Sequence, residues 1–126
     1  MRIEALVQRQ DGVVTRDQAR RCGLSTSTID RRLACGDWVR RHPRVYADAV
    51  WPWTLVARTR AAWLWAGPNA ALVGANAAWW TGLLAAPPDD VLVAVAPGRR
   101  LVAPAGVRLV PEPWPRWTCG GAVACG

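Results

Sequence analysis

The chain has 126 residues, enough for one ordinary domain or two very small ones. Its formal net charge is +7, all 16 of its basic residues are arginine, and 52% of its residues are hydrophobic. This composition excludes a largely disordered chain. It favours a polyanionic partner, because arginine presents a planar set of donors that fits phosphates and guanine edges. Codon bias in a GC-rich gene is an alternative source of the arginines.

Signals for export, membrane insertion and metal binding are missing from the sequence. The N-terminal stretch is amphipathic, and the most apolar region, residues 51–84, is interrupted by Arg58 and Arg60. We therefore expect a cytoplasmic protein without a signal peptide or a membrane contact. Four cysteines form no CxxC pair, and the single histidine, His42, does not complete a zinc set. We expect reduced thiols and no cofactor.

Two short helices are predicted at the start of the chain. Apolar residues at positions 3, 6 and 7 form one face of a helix over residues 3–9. Thr15, followed three residues later by Gln18, is a capping box that starts a second helix. Gly23 stands where a glycine commonly ends a helix.

The third predicted helix carries an unusual exposed face. Ser25 can cap a helix over residues 26–35, with Ile29 on its buried side. At about 100° per residue, Ser27 and Arg31 lie nearly opposite Ile29. Short hydrogen-bonding side chains and an arginine are uncommon on a helix face that is merely solvated.

A β-ribbon follows this helix. Residues 38–46 alternate with a period of two, with His42-Pro43-Arg44 in the bend and with Trp38 and Tyr46 in the core. Residues 16–44 hold eight arginines and three aspartates, an excess of five positive charges. Codon bias would distribute the arginines more evenly. A solvated face neutralised by Asp30 and Asp37 is the alternative, but three carboxylates do not balance eight arginines.

The spacing of Ala19, Gly23 and Ile29 is typical of a helix-turn-helix. A small residue, a turn glycine with positive φ and a β-branched residue let two helices pack closely. Together with the ribbon, this spacing predicts a DNA-binding winged helix-turn-helix over residues 1–49, with three helices and a β-ribbon wing.

In that arrangement the helix over residues 26–35 enters the major groove of double-stranded DNA. The candidates for contacts with base edges are Ser27, Thr28 and Arg31, and Arg31 can bind guanine bidentately. The candidates for contacts with phosphates or through the wing are Ser25, Thr26, Arg32, Arg40, Arg41 and Arg44.

The rest of the chain predicts a small α/β region over residues 50–110, so the fold class is α+β. Helices are expected over residues 53–66 and 76–84, followed by a β-hairpin of residues 91–96 and 106–110. Residues 111–126, rich in proline, predict an irregular tail. No nucleophile–base pair or catalytic acid cluster is visible, so we do not expect an enzyme.

The segment from Gly12 to Tyr46 resembles the N-terminal winged helix of the AbiEi family of antitoxins in its actinobacterial form. The matching residues are Gly12 to Arg16, Gln18, Ala19, Gly23, Leu24, Ser25, Ile29, Arg32, Leu33, Gly36, Trp38, His42, Pro43, Val45 and Tyr46. Arg44 stands where the family commonly has glycine. The similarity continues more weakly to about residue 110.

The resemblance implies a transcriptional repressor and antitoxin of a type IV toxin–antitoxin system. Such a protein would autoregulate its operon and oppose a nucleotidyltransferase toxin. Many relatives continue into a nuclease-like domain, which leaves an alternative open. The chain would then be the DNA-targeting N-terminal remnant of a very short patch repair-like endonuclease, without the catalytic domain.

Overall fold

The computed structural model describes residues 2–67, 70–86, 89–95, 102–111 and 122–124. In these residues the protein is mixed α+β, with five helices and two small sheets. The contacts divide the chain into two compact units, Met1–Trp65 and Ala66–Gly126.

The helices and strands follow one another in a simple order along the chain. The first unit contains α1 (Ile3–Arg9), β1 (Val13–Thr15), α2 (Arg16–Arg21), α3 (Thr26–Ala34), β2 (Trp38–His42), β3 (Val45–Asp48) and nearly all of α4 (Leu55–Ala66). The second unit contains β4 (Ala71–Val73), α5 (Gly74–Trp80), β5 (Val91–Val95), β6 (Val107–Pro111) and β7 (Ala122–Ala124).

The sheet of the first unit has three antiparallel strands in the order β1-β3-β2. The sequence predicts only the ribbon of β2 and β3. Strand β1 is too short to show a period of its own, but its residues Val13 and Val14 pair with Ala47 and Tyr46 of β3. Because α2 begins directly after β1, this pairing fixes the start of α2 against the ribbon.

The two faces of this sheet pack on different helices, since successive side chains of a strand point to opposite sides. On one side, the helix face, Val14, Trp38 and Tyr46 share a core with residues of α1, α2 and α3. On the other, the α4 face, Val13 and Val45 pack with alanines of α4. The first compact unit therefore takes in α4, which lies beyond the boundary predicted after residue 49.

A β-bulge in β2 changes which face its last residues occupy. Arg40 pairs with Tyr46 whereas His42 pairs with Val45, so Arg41 is the extra residue. The prediction that His42 lies in the bend is wrong. It ends β2 on the α4 face, is 8% exposed, and its ring centroid is 6.4 Å from that of Trp65. The bulge places His42 on the α4 face, because the extra residue reverses the side of the sheet to which the next side chain points.

The second unit contains a sheet with the order β6-β5-β4-β7. The predicted hairpin of β5 and β6 is wrong, because these two strands pair in parallel, Val91 beside Val107. A hairpin needs a short turn, and residues 96–106 separate the strands. The buried Asn76 accepts a hydrogen bond at Oδ1 from the backbone N–H of Leu92 at 2.6 Å and ties α5 to β5.

Local polar side chains shift two helix boundaries from the prediction. Helix α4 begins at Leu55 instead of residue 53, since Thr54 Oγ1 accepts a hydrogen bond from the N–H of Ala57 at 3.1 Å. Helix α5 ends at Trp80 instead of residue 84, and Thr81 Oγ1 donates to the Ala77 carbonyl at 2.8 Å. Most of the predicted irregular tail lies outside the described residues. None of the helices described is both long and apolar enough to cross a membrane.

Candidate nucleic-acid interface

The turn between α2 and α3 is specified by local hydrogen bonds. At the start of α2, Thr15 Oγ1 accepts from the N–H of Gln18 at 3.1 Å, and Gln18 Oε1 accepts from the N–H of Thr15 at 3.0 Å. The predicted capping box is therefore confirmed. It satisfies two backbone donors that a helix start leaves without partners.

Gly23 ends α2 in a Schellman motif. Its N–H donates to the carbonyl of Arg20 at 3.0 Å, and the N–H of Leu24 donates to that of Ala19 at 3.1 Å. Gly23 has φ +97°, and an added Cβ would meet no atom within 4 Å. The backbone conformation, and not a lack of space, therefore requires glycine here.

The close packing predicted from the spacing of Ala19, Gly23 and Ile29 is confirmed. Ala19 and Ile29 are both 0% exposed and belong to the core of the helix face. Trp38 and Tyr46 complete this core, with ring centroids 6.0 Å apart and ring planes 23° apart. Helix α3 is thus seated directly on the sheet.

The N-terminus of α3 carries the predicted hydroxyl groups. Ser25 Oγ accepts from the N–H of Thr28 at 3.1 Å and lies 2.9 Å from Thr28 Oγ1. Thr26 and Ser27 are exposed, and Thr28 is half-buried. The cap therefore holds two of these hydroxyls in place at the end of α3 where backbone N–H groups point outward.

The predicted arginine candidates lie in three different environments. Arg31 and Arg40 are exposed, and Arg40 lies opposite Tyr46 on the helix face. Two others stack on indoles: the guanidinium of Arg32 lies 5.0 Å from the Trp38 ring and that of Arg41 lies 4.3 Å from the Trp53 ring.

The remaining candidate, Arg44, forms the turn of the hairpin. Its Nη2 lies 2.7 Å from Asp17 Oδ1, in an ion pair exposed on both sides. Its φ of +63° is in the left-handed region that favours glycine, the residue that the family commonly has at this position.

Arg16 links α2 to α3 and β3, and sequence reasoning did not single it out as a site candidate. Its Nη1 lies 3.1 Å from Asp30 Oδ1 of α3 and 3.3 Å from the hydroxyl of Tyr46 of β3. Its backbone N–H donates to the Arg44 carbonyl at 2.9 Å. The hydrogen bonds to Tyr46 and Asp30 raise the pKa of Arg16. Its position directly after the N-cap was the signal available, but its partners are distant in sequence.

The ion pairs leave most of the local positive charge uncompensated. Between residues 16 and 44, Asp30 pairs with Arg16 and Asp17 pairs with Arg44. Within residues 2–67, neither Arg31 nor Arg40 forms an ion pair with a carboxylate. Aspartates therefore do not neutralise the exposed arginines beside α3.

Residues 1–47 match the family model described as "Transcriptional regulator, AbiEi antitoxin". We call residues 1–47 the AbiEi-type segment after this similarity. It runs from α1 into β3 and so contains α2, α3 and the hairpin, with none of α4. A family of transcriptional regulators implies binding to DNA.

The fold extends beyond the AbiEi-type segment. The chain is similar to a solved structure titled "Crystal structure of RV2827C protein from Mycobacterium tuberculosis", with a TM-score of 0.50 and 25% sequence identity. The match covers 88% of this chain but 43% of that one, so the chain spans less than half of its length. No curated protein matches the chain significantly.

The described part of the chain shows no group of three or more His, Cys, Asp or Glu residues that could hold a metal ion. Cys22 directly after α2 and Cys35 directly after α3 are free thiols. The other two cysteines lie outside the described residues.

Proposed function

We propose that the AbiEi-type segment is a winged helix-turn-helix that binds duplex DNA at specific sequences. The element order α1-β1-α2-α3-β2-β3, with an antiparallel sheet, supports this assignment. In the proposal α3 is the recognition helix and the β2–β3 hairpin is the wing. One observation carries it: Arg31 of α3 and Arg40 of β2 are exposed, and within residues 2–67 neither forms an ion pair with a carboxylate.

The base contacts are assigned to the outward side of α3. Ser27 and Arg31 lie opposite the buried Ile29, and Thr28 flanks them. Arginine binds the O6 and N7 acceptors of guanine bidentately, and such a pair is worth about 1–3 kcal/mol of discrimination. Arg31 is therefore the residue expected to select a base pair.

The phosphate contacts are assigned to the groups around α3. The candidates are the cap of α3 and three arginines, on α3, on β2 and in the hairpin turn: Ser25, Thr26, Arg32, Arg40 and Arg44. Arg44 can exchange its exposed partner Asp17 for a phosphate, since such surface pairs contribute about 0–1 kcal/mol. Arg41, also a candidate from the sequence, stacks on Trp53 on the α4 face, and we assign it to packing there.

We further propose that this binding represses the protein's own operon, and that the protein is the non-catalytic antitoxin of a type IV toxin–antitoxin system with a nucleotidyltransferase toxin. The description of the family as antitoxin regulators supports this role.

DNA binding is tested with the full chain in two steps. A preferred site is selected from a random duplex library, and affinities for that site and for random DNA are then measured by fluorescence anisotropy at several salt concentrations. We expect affinity to fall steeply with salt as phosphate contacts release counterions. Arg31→Ala should weaken the selected site about 10- to 100-fold and random DNA much less.

Arg108→Ala is the matched control, because Arg108 is an exposed arginine on β6 in the second unit. It removes the same charge and should leave discrimination unchanged. Salt-insensitive binding, or an Arg31→Ala loss that is equal on selected and random DNA, would contradict the assignment.

Autoregulation is tested with a reporter driven by the DNA upstream of the gene. The wild-type chain should repress it and Arg31→Ala should not. Repression that persists in Arg31→Ala would mean that regulation does not depend on the proposed contact of Arg31 in the major groove.

A further inference from the structure

Helix α3 is attached to the sheet on both sides of Arg31. The residue before it, Asp30, bonds to Arg16, whose Nη1 also bonds to the Tyr46 hydroxyl. The residue after it, Arg32, stacks on Trp38 with its guanidinium 5.0 Å from the ring. Trp38 and Tyr46 in turn stack on each other at 6.0 Å. These contacts form a closed path from α3 through the sheet and back to α3.

The geometry of a helix means that these contacts restrain the rotation of α3 about its axis. Consecutive side chains are separated by about 100°, so Asp30 and Arg32 point to either side of the direction in which Arg31 points. An attachment on one side alone leaves a helix free to rotate slightly about its axis. Attachments on both sides, with Ile29 buried beneath, oppose rotation in either direction.

We propose that Arg16, Asp30 and Tyr46, the Arg16 network, form a positioning element that sets the rotation of α3 and thereby aims Arg31 at its base pair. The inference rests on the proposed DNA-binding function and adds a specificity role for three residues that need not touch a base. Bidentate contacts depend on direction, so a rotated α3 loses discrimination while contacts with phosphates persist.

Removing the Tyr46 hydroxyl tests the positioning role without changing the packing of the ring or the net charge. The ring is 4% exposed and stacks on Trp38, whereas the hydroxyl bonds to Arg16. Tyr46→Phe keeps the ring and the net charge and removes only this link. Thr59→Val is the matched control, because it deletes another buried hydroxyl, one that donates to the Leu55 carbonyl at 2.8 Å within α4.

The test compares the ratio of affinities for the selected site and its single-base variants in the full chain, well below the midpoint of thermal unfolding. Tyr46→Phe should lower this ratio about tenfold and leave random-DNA affinity and the salt slope unchanged. Asp30→Asn should also lower the ratio, while binding random DNA more tightly because one negative charge is lost. Thr59→Val should keep the wild-type ratio.

The outcomes distinguish the positioning role from the proposed DNA-binding function on which it rests. Wild-type discrimination in both Tyr46→Phe and Asp30→Asn would overturn the positioning role and leave DNA binding intact. An equal loss in Thr59→Val would also overturn it, since lowered stability would then explain the effect. A wild-type chain without salt-dependent DNA binding would remove both proposals.

Discussion

The two faces of the β1-β3-β2 sheet show how one small sheet serves two purposes. Its helix face carries large aromatic rings, Trp38 and Tyr46, joined by polar groups to α2 and α3. Its α4 face meets Ala57 and Ala61, small residues that let α4 approach closely. The helix face thus combines ring stacking with hydrogen bonds that reach α2 and α3, whereas α4 meets the other face chiefly through small apolar side chains.

The bulge in β2 divides three consecutive basic residues between these faces. Arg40 remains on the helix face, whereas Arg41 stacks on Trp53 and His42 is buried near Trp65. A regular strand would have placed Arg40 and His42 on the same side. One extra residue therefore separates an exposed cation from a buried imidazole, and the comparison of the faces can be tested at each position.

The largest expected effect is on the helix face. Trp38→Ala should lower the free energy of unfolding by about 4 kcal/mol, because it removes a 2% exposed ring that contacts both Tyr46 and Arg32. Urea unfolding followed by far-UV circular dichroism measures the loss. Val39→Ala is the control. The side chain of Val39, next to Trp38, is 37% exposed, and its truncation should lower the free energy of unfolding by about 0.5 kcal/mol or less. Similar losses in both variants would contradict the assignment of the core to this face.

The next effect separates adjacent arginines across the two faces. Arg40→Ala should weaken binding to all DNA about tenfold and reduce the salt slope by about one, as for a lost phosphate contact. Arg41→Ala removes the same charge from the α4 face and should leave the slope unchanged. Anisotropy titrations at several salt concentrations measure both. Equal slopes in the two variants would contradict the proposed assignment of Arg40 to a phosphate contact and of Arg41 to packing.

Features set by neighbouring residues could be predicted from the sequence. The Thr15 cap, the Gly23 turn and the Ser25 cap each depend on residues three to five positions apart. All three are predicted correctly, because a cap is decided by residues close together in the chain: a side-chain acceptor at a helix start or a residue with positive φ at a helix end. The starts of α2 and α3 and the turn between them could therefore be predicted from the sequence.

Features set by distant pairing could not be predicted from the sequence. Strand β1 exists because Val13–Thr15 pair with β3, thirty or more positions away, and the bulge is visible only in the register of β2 against β3. The same holds for Arg16, whose partners come from α3 and β3. In the second unit, the parallel pairing of β5 and β6 likewise has no local signal.

The smallest expected effect tests the buried imidazole of the α4 face. Among the described residues, neither ring nitrogen of His42 has a hydrogen-bond partner, and burial lowers the pKa of His42 from its usual value near 6.5. Protons therefore bind more readily to the unfolded chain. The free energy of unfolding should be constant well above pH 6.5 and should fall as the pH drops below it, until the lower pKa of the folded state is reached.

Because His42 is the chain's one histidine, this fall can be assigned to a single group. Its slope should not exceed about 1.4 kcal/mol per pH unit, the limit for one proton. Urea unfolding between pH 5.5 and 8 measures it, and His42→Phe should give a flat profile over this range. A wild-type profile as flat as that of His42→Phe would mean that the imidazole is as well solvated as in the unfolded chain. The α4 face would then lack the burial that distinguishes it from the exposed Arg40 two residues earlier.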